Sequence, residues 1–254
     1  MAGTLAALAT IASLVVGVIS IIPILTNDSS GVGTLESTGR VVSQGVYAVE
    51  PGDLVDFPSG VDVGCDPSQR AWLEEMGESV PRTILVEVRN VASEGAIVAV
   101  TEVRAEGRFS EPEQAVVLVE CSPWDQAGSG KPALLELSDG TIATFDNSID
   151  GRLQGGLPDS PIAYNLAPGE TAQFLLTVFG AQDFSGEIVS TVTSGRERVS
   201  QPIEIDGLDE LRIPGSSLSA GTYLTVVDGK LICARPGLRA DEPVFEEFDV
   251  CLGD

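Results

Sequence analysis

The apolar and polar positions of this chain fall into two regimes. From Leu5 to Leu25 (LAALATIASLVVGVISIIPIL) there are 21 residues without a charge, and only Thr10, Ser13 and Ser20 interrupt the apolar surface. A helix of that length rises about 31 Å at roughly 1.5 Å per residue, which matches the hydrocarbon core of a bilayer. The pattern predicts a single transmembrane anchor over residues 1–26. A cleaved signal would carry a basic start and a shorter apolar stretch, and Met1-Ala2-Gly3-Thr4 contains no Lys or Arg. A helix buried in a soluble core would show a polar stripe. Pro23 lies near the end of the segment, where a kink costs little.

Beyond the anchor the period changes. Residues 27–39 (NDSSGVGTLESTG) have the composition of a flexible linker. From Arg40 onward short β-branched runs alternate with Pro and Gly, as in Val46 to Val49 followed by Glu50-Pro51-Gly52-Asp53. One helix is predicted after Cys65. Asp66 caps it, Pro67 takes its first position, Gln69 is placed as the capping-box partner, Trp72, Leu73 and Met76 share a face, and Gly77 ends it.

The clearest strand pair is Thr83 to Arg89 with Ala96 to Val103, joined by residues 90–95. In TILVEVR, Ile84, Val86 and Val88 alternate with Leu85, Glu87 and Arg89, as one buried sheet face requires. Ala115 to Val119 leads to Cys121. Asp139-Gly140 and Asp228-Gly229 each separate two strand-like runs and predict hairpins. Phe174 to Phe179 and Glu187 to Thr193 complete a series of about ten strands. The fold class expected is mainly β: an antiparallel β-sandwich over residues 40–205 with one short helix, and a C-terminal hairpin extension, residues 206–254, packed on it.

The strand VEVRN, a turn, AIVAVTEV, and later Leu166-Ala167-Pro168-Gly169-Glu170 leading into Thr171-Ala172-Gln173-Phe174-Leu175 resemble the immunoglobulin-like and fibronectin-like sandwiches of bacterial membrane-anchored surface proteins. The resemblance covers residues 80–205. It implies that the L-x-P-G-E segment is a turn into a core strand, and that the domain binds or spaces rather than catalyses. The insertion between Cys121 and Leu166, with its own hairpin, departs from the plain repeat.

Composition adds constraints. With 14 basic and 38 acidic residues the formal charge is −24, a field that repels nucleic acid and favours cations or basic partners. The 12 Arg against 2 Lys fit equally a compositional bias or a salty habitat. A hydrophobic content of 43% argues for a packed core rather than disorder. Cys65, Cys121, Cys233 and Cys251 form an even set without a C-x-x-C pair, and the absence of His leaves no zinc site of the usual kind. Cys233 with Cys251 suits a local staple, and Cys65 with Cys121 would be the second bridge; four buried thiols in a reducing compartment are the alternative. Lys and Arg near the apolar segment do not fix its orientation, since only Arg40 lies within about 20 residues. The cysteines favour a soluble domain outside the cytoplasmic membrane.

Without His, Ser-His-Asp and Cys-His relays are excluded, and Lys131 and Lys230 lie in turn-like contexts. Any acid–base chemistry rests on carboxylates, as in a surface hydrolase. The one metal candidate is Asp146, Ser148 and Asp150, with oxygen ligands at alternate positions before Gly151. It lacks the closing acidic ligand of a calcium loop, because Leu157 occupies that place. Asp206, Asp209 and Glu210 form a further acidic cluster, and Val244, Phe245 and Phe248 sit among carboxylates near the C-terminus. The expected function is a membrane-anchored, extracytoplasmic binding, sensing or structural module. It would have no catalytic activity and no cofactor, would be tied to the membrane through Leu5 to Leu25, and would recognise a protein or carbohydrate partner. The competing classes are a subunit of a larger cell-envelope complex and a carboxylate-based surface hydrolase.

Overall fold

The computed structural model describes residues 35–42, 45–60, 64–92, 95, 97–121, 130–146, 148–149, 152–153, 160–218 and 222–234. The apolar segment from Leu5 to Leu25 and residues 235–254 lie outside the described residues. Among those described, no helix is long and apolar enough to cross a membrane.

The protein is mainly β. In chain order the strands are β1 (Leu35–Val41), β2 (Val46–Val49), β3 (Glu78–Ser79), β4 (Thr83–Asn90), β5 (Val98–Ser110), β6 (Val117–Glu120), β7 (Lys131–Glu136), β8 (Thr144–Phe145), β9 (Ser148–Ile149), β10 (Arg152–Leu153), β11 (Ser160–Pro161), β12 (Ala163–Leu166), β13 (Thr171–Phe179), β14 (Asp183–Ser194), β15 (Glu197–Pro202), β16 (Glu204–Ile205), β17 (Leu211–Ile213), β18 (Tyr223–Val227) and β19 (Lys230–Ala234). The helix α1 (Pro67–Met76) lies between β2 and β3. β1 begins at Leu35, within the Ser/Thr-rich stretch read as linker, because Leu35, Ser37 and Gly39 turn inward and pair along β4.

Two sheets share one core. The first has the order β11-β8-β7-β13-β4-β1-β16, and the second β12-β5-β14-β15, with β17 also paired to β14. Ile84, Val86 and Val88 of β4 and Phe174, Leu176 and Val178 of β13 meet Val98, Val100, Val103, Ile188 and Val192 of the second sheet in a single buried cluster. The alternation in TILVEVR thus selects the face as expected. It does not select the partner: β4 pairs with β1 and β13, while β5 lies in the opposite sheet. The connection 91–97 is therefore a crossing between sheets rather than a hairpin. Nor are the sheets wholly antiparallel, since β1 with β16, β7 with β13 and β6 with β18 run parallel.

One pole of the sandwich gathers the start of β1 and three turns. Leu35 faces Asn90 across β1 and β4. The buried Asn90 amide donates to the Leu166 carbonyl at 3.1 Å. Leu166 and Ser194 are both register partners of Val98. The Leu166-Ala167-Pro168-Gly169-Glu170 segment is a turn leading into β13, with Gly169 at φ 82° and the Glu170 carboxylate accepting from the Ala167 N–H at 2.7 Å.

At the opposite end of β1 sits a third sheet of order β19-β18-β6-β2-β3. One of its faces, with Val46, Ala48, Leu118, Tyr223 and Ala234, joins the sandwich core. The other, with Tyr47, Val49, Val117, Val119, Leu224 and Cys233, packs under α1 through Leu73 and Trp72. The helix starts where the sequence places it: the Asp66 carboxylate accepts from the Ser68 and Gln69 N–H groups, and the Gln69 carbonyl oxygen accepts from the Asp66 N–H. Gln69 also donates through Nε2 to the carbonyls of Pro58 (2.9 Å) and Gly229 (3.2 Å). It thereby clamps the β18–β19 turn, where Asp228 (φ 49°) and Gly229 (φ 72°) form the two-residue hairpin the sequence predicts. Cys65, just before α1, is bonded to Cys121, just after β6, with a Cα–Cα distance of 4.9 Å. Cys233 is disulfide-bonded as well; Cys251 lies outside the described residues.

The third sheet meets the sandwich over a buried ion. Arg82, 1% exposed, leads into β4. Its Nη1 lies 3.2 Å from the Glu120 carboxylate of β6, and its guanidinium stacks 4.0 Å over the Tyr223 ring of β18. Burial pushes the Glu120 carboxyl above its ordinary range, with Arg82 pulling the other way. Burial likewise raises the Tyr223 hydroxyl.

Two measurements follow from this packing. The Cys65–Cys121 bridge spans a sequence separation of 56, so chain entropy assigns it about 4 kcal/mol of stability. Replacing both cysteines by Ala is expected to lower the unfolding free energy by about that amount in urea titrations, with α1 lost first in hydrogen exchange. A carboxyl raised by folding binds its proton more tightly in the folded chain. Its contribution is therefore complete below about pH 4 and is lost as pH rises through the folded value. Stability of the native protein should fall with rising pH across that window more steeply than stability of Glu120→Gln, as read from urea midpoints. Asp66, Glu102 and Glu210, whose carboxyls are held below the ordinary range, act at lower pH and with the opposite sign.

Candidate functional site

Among the described residues, a recess arises where β14 changes partner. Over Val189–Ser194 it pairs with β15, and over Phe184–Gly186 with β17, leaving Glu187 and Ile188 between them. Pro202, which has no N–H to extend a ladder, ends β15. The chain then leaves the second sheet, places β16 beside β1 in the first, and returns as β17. The Ile203 N–H still reaches the Ile188 carbonyl at 2.8 Å, and the Asp206 N–H reaches the Gly39 carbonyl at 2.8 Å. Gly207, at φ 77°, turns the excursion back.

The result is a groove of about 450 Å³ between β15 and β17. Its floor is apolar, with Ile188, Ile203 and Leu211 buried. Its walls and rim carry Glu187, Glu204, Asp206, Asp209 and Glu210, and no Lys or Arg lines it. Leu208, 36% exposed, stands on the rim.

The five carboxylates are not equivalent. Glu210 is engaged: it accepts from the Ser185 hydroxyl and from Arg212 Nε at 3.0 Å. The Ser185 hydrogen bond first, and Arg212 second, hold its carboxyl below the usual range. Glu187, Glu204, Asp206 and Asp209 form no ion pair among the described residues. They are also spread around the rim rather than convergent, since among the described residues no three His, Cys, Asp or Glu side chains could share a metal ion. Such a distribution suits an extended cationic ligand better than a single ion.

A second recess, about 500 Å³, lies on the outer face of the second sheet beside Gly140 and Ile142. It follows a β-bulge in β5 between Thr101 and Arg104, opposite Val189 and Thr191, where Glu102 takes φ 50°. Its charges satisfy one another. Glu102 accepts from Arg198 and from the Thr191 hydroxyl, and Arg104 pairs with Glu106 and donates to Ser200 at 3.2 Å. Arg198 and then Thr191 hold the Glu102 carboxyl low. With its donors and acceptors already matched, this recess offers a ligand less than the acidic groove does.

Of the residues singled out from sequence, Asp206, Asp209 and Glu210 line the groove together. Glu187 and Glu204 were not singled out; they join through strand pairing that no local motif encodes. The Asp146, Ser148 and Asp150 triplet is not brought into a described site. Asp146 follows β8 with its N–H on the Pro132 carbonyl at 3.0 Å, while Asp150 lies outside the described residues. The aromatic segment with Val244, Phe245 and Phe248 also lies outside them. Compared with protein-family models, curated proteins and solved structures, the chain gives no match.

Proposed function

We propose that this protein is a membrane-anchored, extracytoplasmic recognition module of immunoglobulin-like character. In this reading it acts by binding, not catalysis, and holds a cationic, Lys- or Arg-bearing segment of a protein partner in the groove between β15 and β17. The observation that carries the reading is a groove lined by five carboxylates and no basic residue, four of them without an ion pair. Apolar floor residues would seat the aliphatic stems of Lys or Arg while the rim meets their charges. The anchor is supported by the uncharged stretch from Leu5 to Leu25, and the location outside by disulfide-bonded Cys65, Cys121 and Cys233, since such bonds persist in oxidising compartments.

Extended peptides rich in Lys and Arg are expected to bind the full chain in detergent or nanodiscs, with affinity falling as salt rises. The triple variant Glu187→Gln, Glu204→Gln, Asp209→Asn should bind roughly tenfold more weakly, about 0.5 kcal/mol per exposed charge pair removed. Fluorescence anisotropy reads both. Unchanged affinity in the triple variant, or binding of neutral glycans in place of the basic peptides, would overturn the reading.

A further inference from the structure

The second sheet ends on an uncovered strand. In the order β12-β5-β14-β15, β15 has β14 on one side and, among the described residues, no strand on the other. The turn that opens β15 decides which of its backbone groups face the open side. Ser194 and Glu197 flank the two-residue turn Gly195-Arg196, with Gly195 at φ 61°, so they exchange both ladder bonds. Every second pair beyond them does the same, Val192 with Val199 and Ser190 with Gln201. The Ile203 N–H on the Ile188 carbonyl, at 2.8 Å, continues that series and confirms its phase.

The alternate residues therefore turn their backbone outward. Arg198 and Ser200 each present an N–H and a carbonyl, and Pro202 presents a carbonyl alone. All three residues are exposed, and among the described residues these groups have no backbone partner. Along the chain the edge runs into the acidic groove: Pro202 ends β15 and lines the groove, with Glu204, Asp206 and Asp209 beyond it. From Arg198 to Pro202 the edge is about 13 Å long at roughly 3.3 Å per residue.

An open edge accepts a strand from a second copy or from a different chain. Charge decides between them. A second copy would bring its own formal charge of −24 against the carboxylates of the groove, whereas a basic segment is attracted to them. Every pair in the second sheet is antiparallel, and a strand added in the same sense extends the existing ladder. Because β15 runs toward the groove, such a strand would have its N-terminal end there.

We propose that the basic partner segment binds as an added strand, antiparallel to β15, donating its alternate N–H groups to the carbonyls of Arg198, Ser200 and Pro202 and placing Lys or Arg at its N-terminal end in the groove. The inference rests on the groove reading and deepens it. The partner is recognised twice, by its backbone along β15 and by its charge past Pro202. It is a strand-forming stretch of about five residues preceded by basic ones, the length that the open edge of β15 can pair.

The test uses the full chain in detergent and the peptide Lys-Arg-Lys-Val-Thr-Val-Thr-Val, with binding read by fluorescence anisotropy. Two further forms of the peptide carry N-methyl groups, one on its Val amides and the other on its Thr amides. Methylation removes the donors from one edge of the peptide strand and leaves its charge untouched. One methylated form is expected to bind at least about tenfold more weakly than the parent, and the other to stay within about twofold of it. Equal binding by the two forms, whether tight or weak, overturns the added strand and leaves the groove reading standing. A parent peptide that does not bind overturns the groove reading and the added strand together. Sedimentation of the chain without peptide is measured alongside: a dimer that is lost in Ser200→Pro, where the ring blocks the open edge, places a second copy on β15 and overturns the basic segment as its occupant.

Discussion

The arrangement of the molecule depends on one buried cation. Arg82 is almost wholly removed from solvent, and its charge is balanced by the Glu120 carboxylate and the face of the Tyr223 ring. Its Nε, also buried, has no hydrogen-bond partner. A guanidinium in that position is tolerable only if the carboxylate and the ring are both present, because an unpaired buried charge costs several kcal/mol. Arg82 belongs to the segment leading into β4, Glu120 to β6 and Tyr223 to β18, so satisfying one ion fixes the third sheet against the sandwich in one register. A pair of this kind adds little net stability over an apolar replacement; its role here is to specify which surfaces meet.

From that junction the molecule extends to two ends of different build. The end that carries the third sheet is stapled. Cys65–Cys121 closes α1 over the third sheet, and Gln69 binds the cap, the Pro58 carbonyl and the Gly229 turn at once. The opposite end is a set of turns around Asn90, whose side-chain amide ties β4 to the end of β12 and whose backbone N–H bonds the Glu170 carbonyl just before β13. Between them, the acidic groove opens on the flank where β14 exchanges β15 for β17. A site built where a sheet breaks its own ladder is held by rigid strands on both sides yet exposes side chains that a continuous sheet would space evenly.

Much of the local structure was legible. Asp66, Pro67 and Gln69 mark the start of α1, Asp228-Gly229 marks a two-residue hairpin, and the alternation in TILVEVR marks the buried face of β4. The site was legible only in part. Asp206, Asp209 and Glu210 stand out as a cluster along the chain. Glu187, on the far side of the β14–β15 hairpin, and Glu204, in a two-residue strand paired with β1, do not. The expected pairing of Thr83 to Arg89 with the following strand failed for a similar reason. Ile84, Val86 and Val88 need a facing layer, and β5 supplies that layer from the opposite sheet rather than a ladder beside them.

The sequence by itself determined the inward face of the clearest strands, where the helix begins, the tight turn at Asp228-Gly229, and the acidity of the chain, because each follows from composition or from interactions within a few positions of the chain. Tertiary structure alone decided which strands are neighbours, that some pair in parallel, that an arginine lies buried between two sheets, and that five separate carboxylates share one groove. A period of two fixes the face of a strand but carries no information about its partner. That choice is made by burial of apolar surface and ion pairing between residues far apart in sequence.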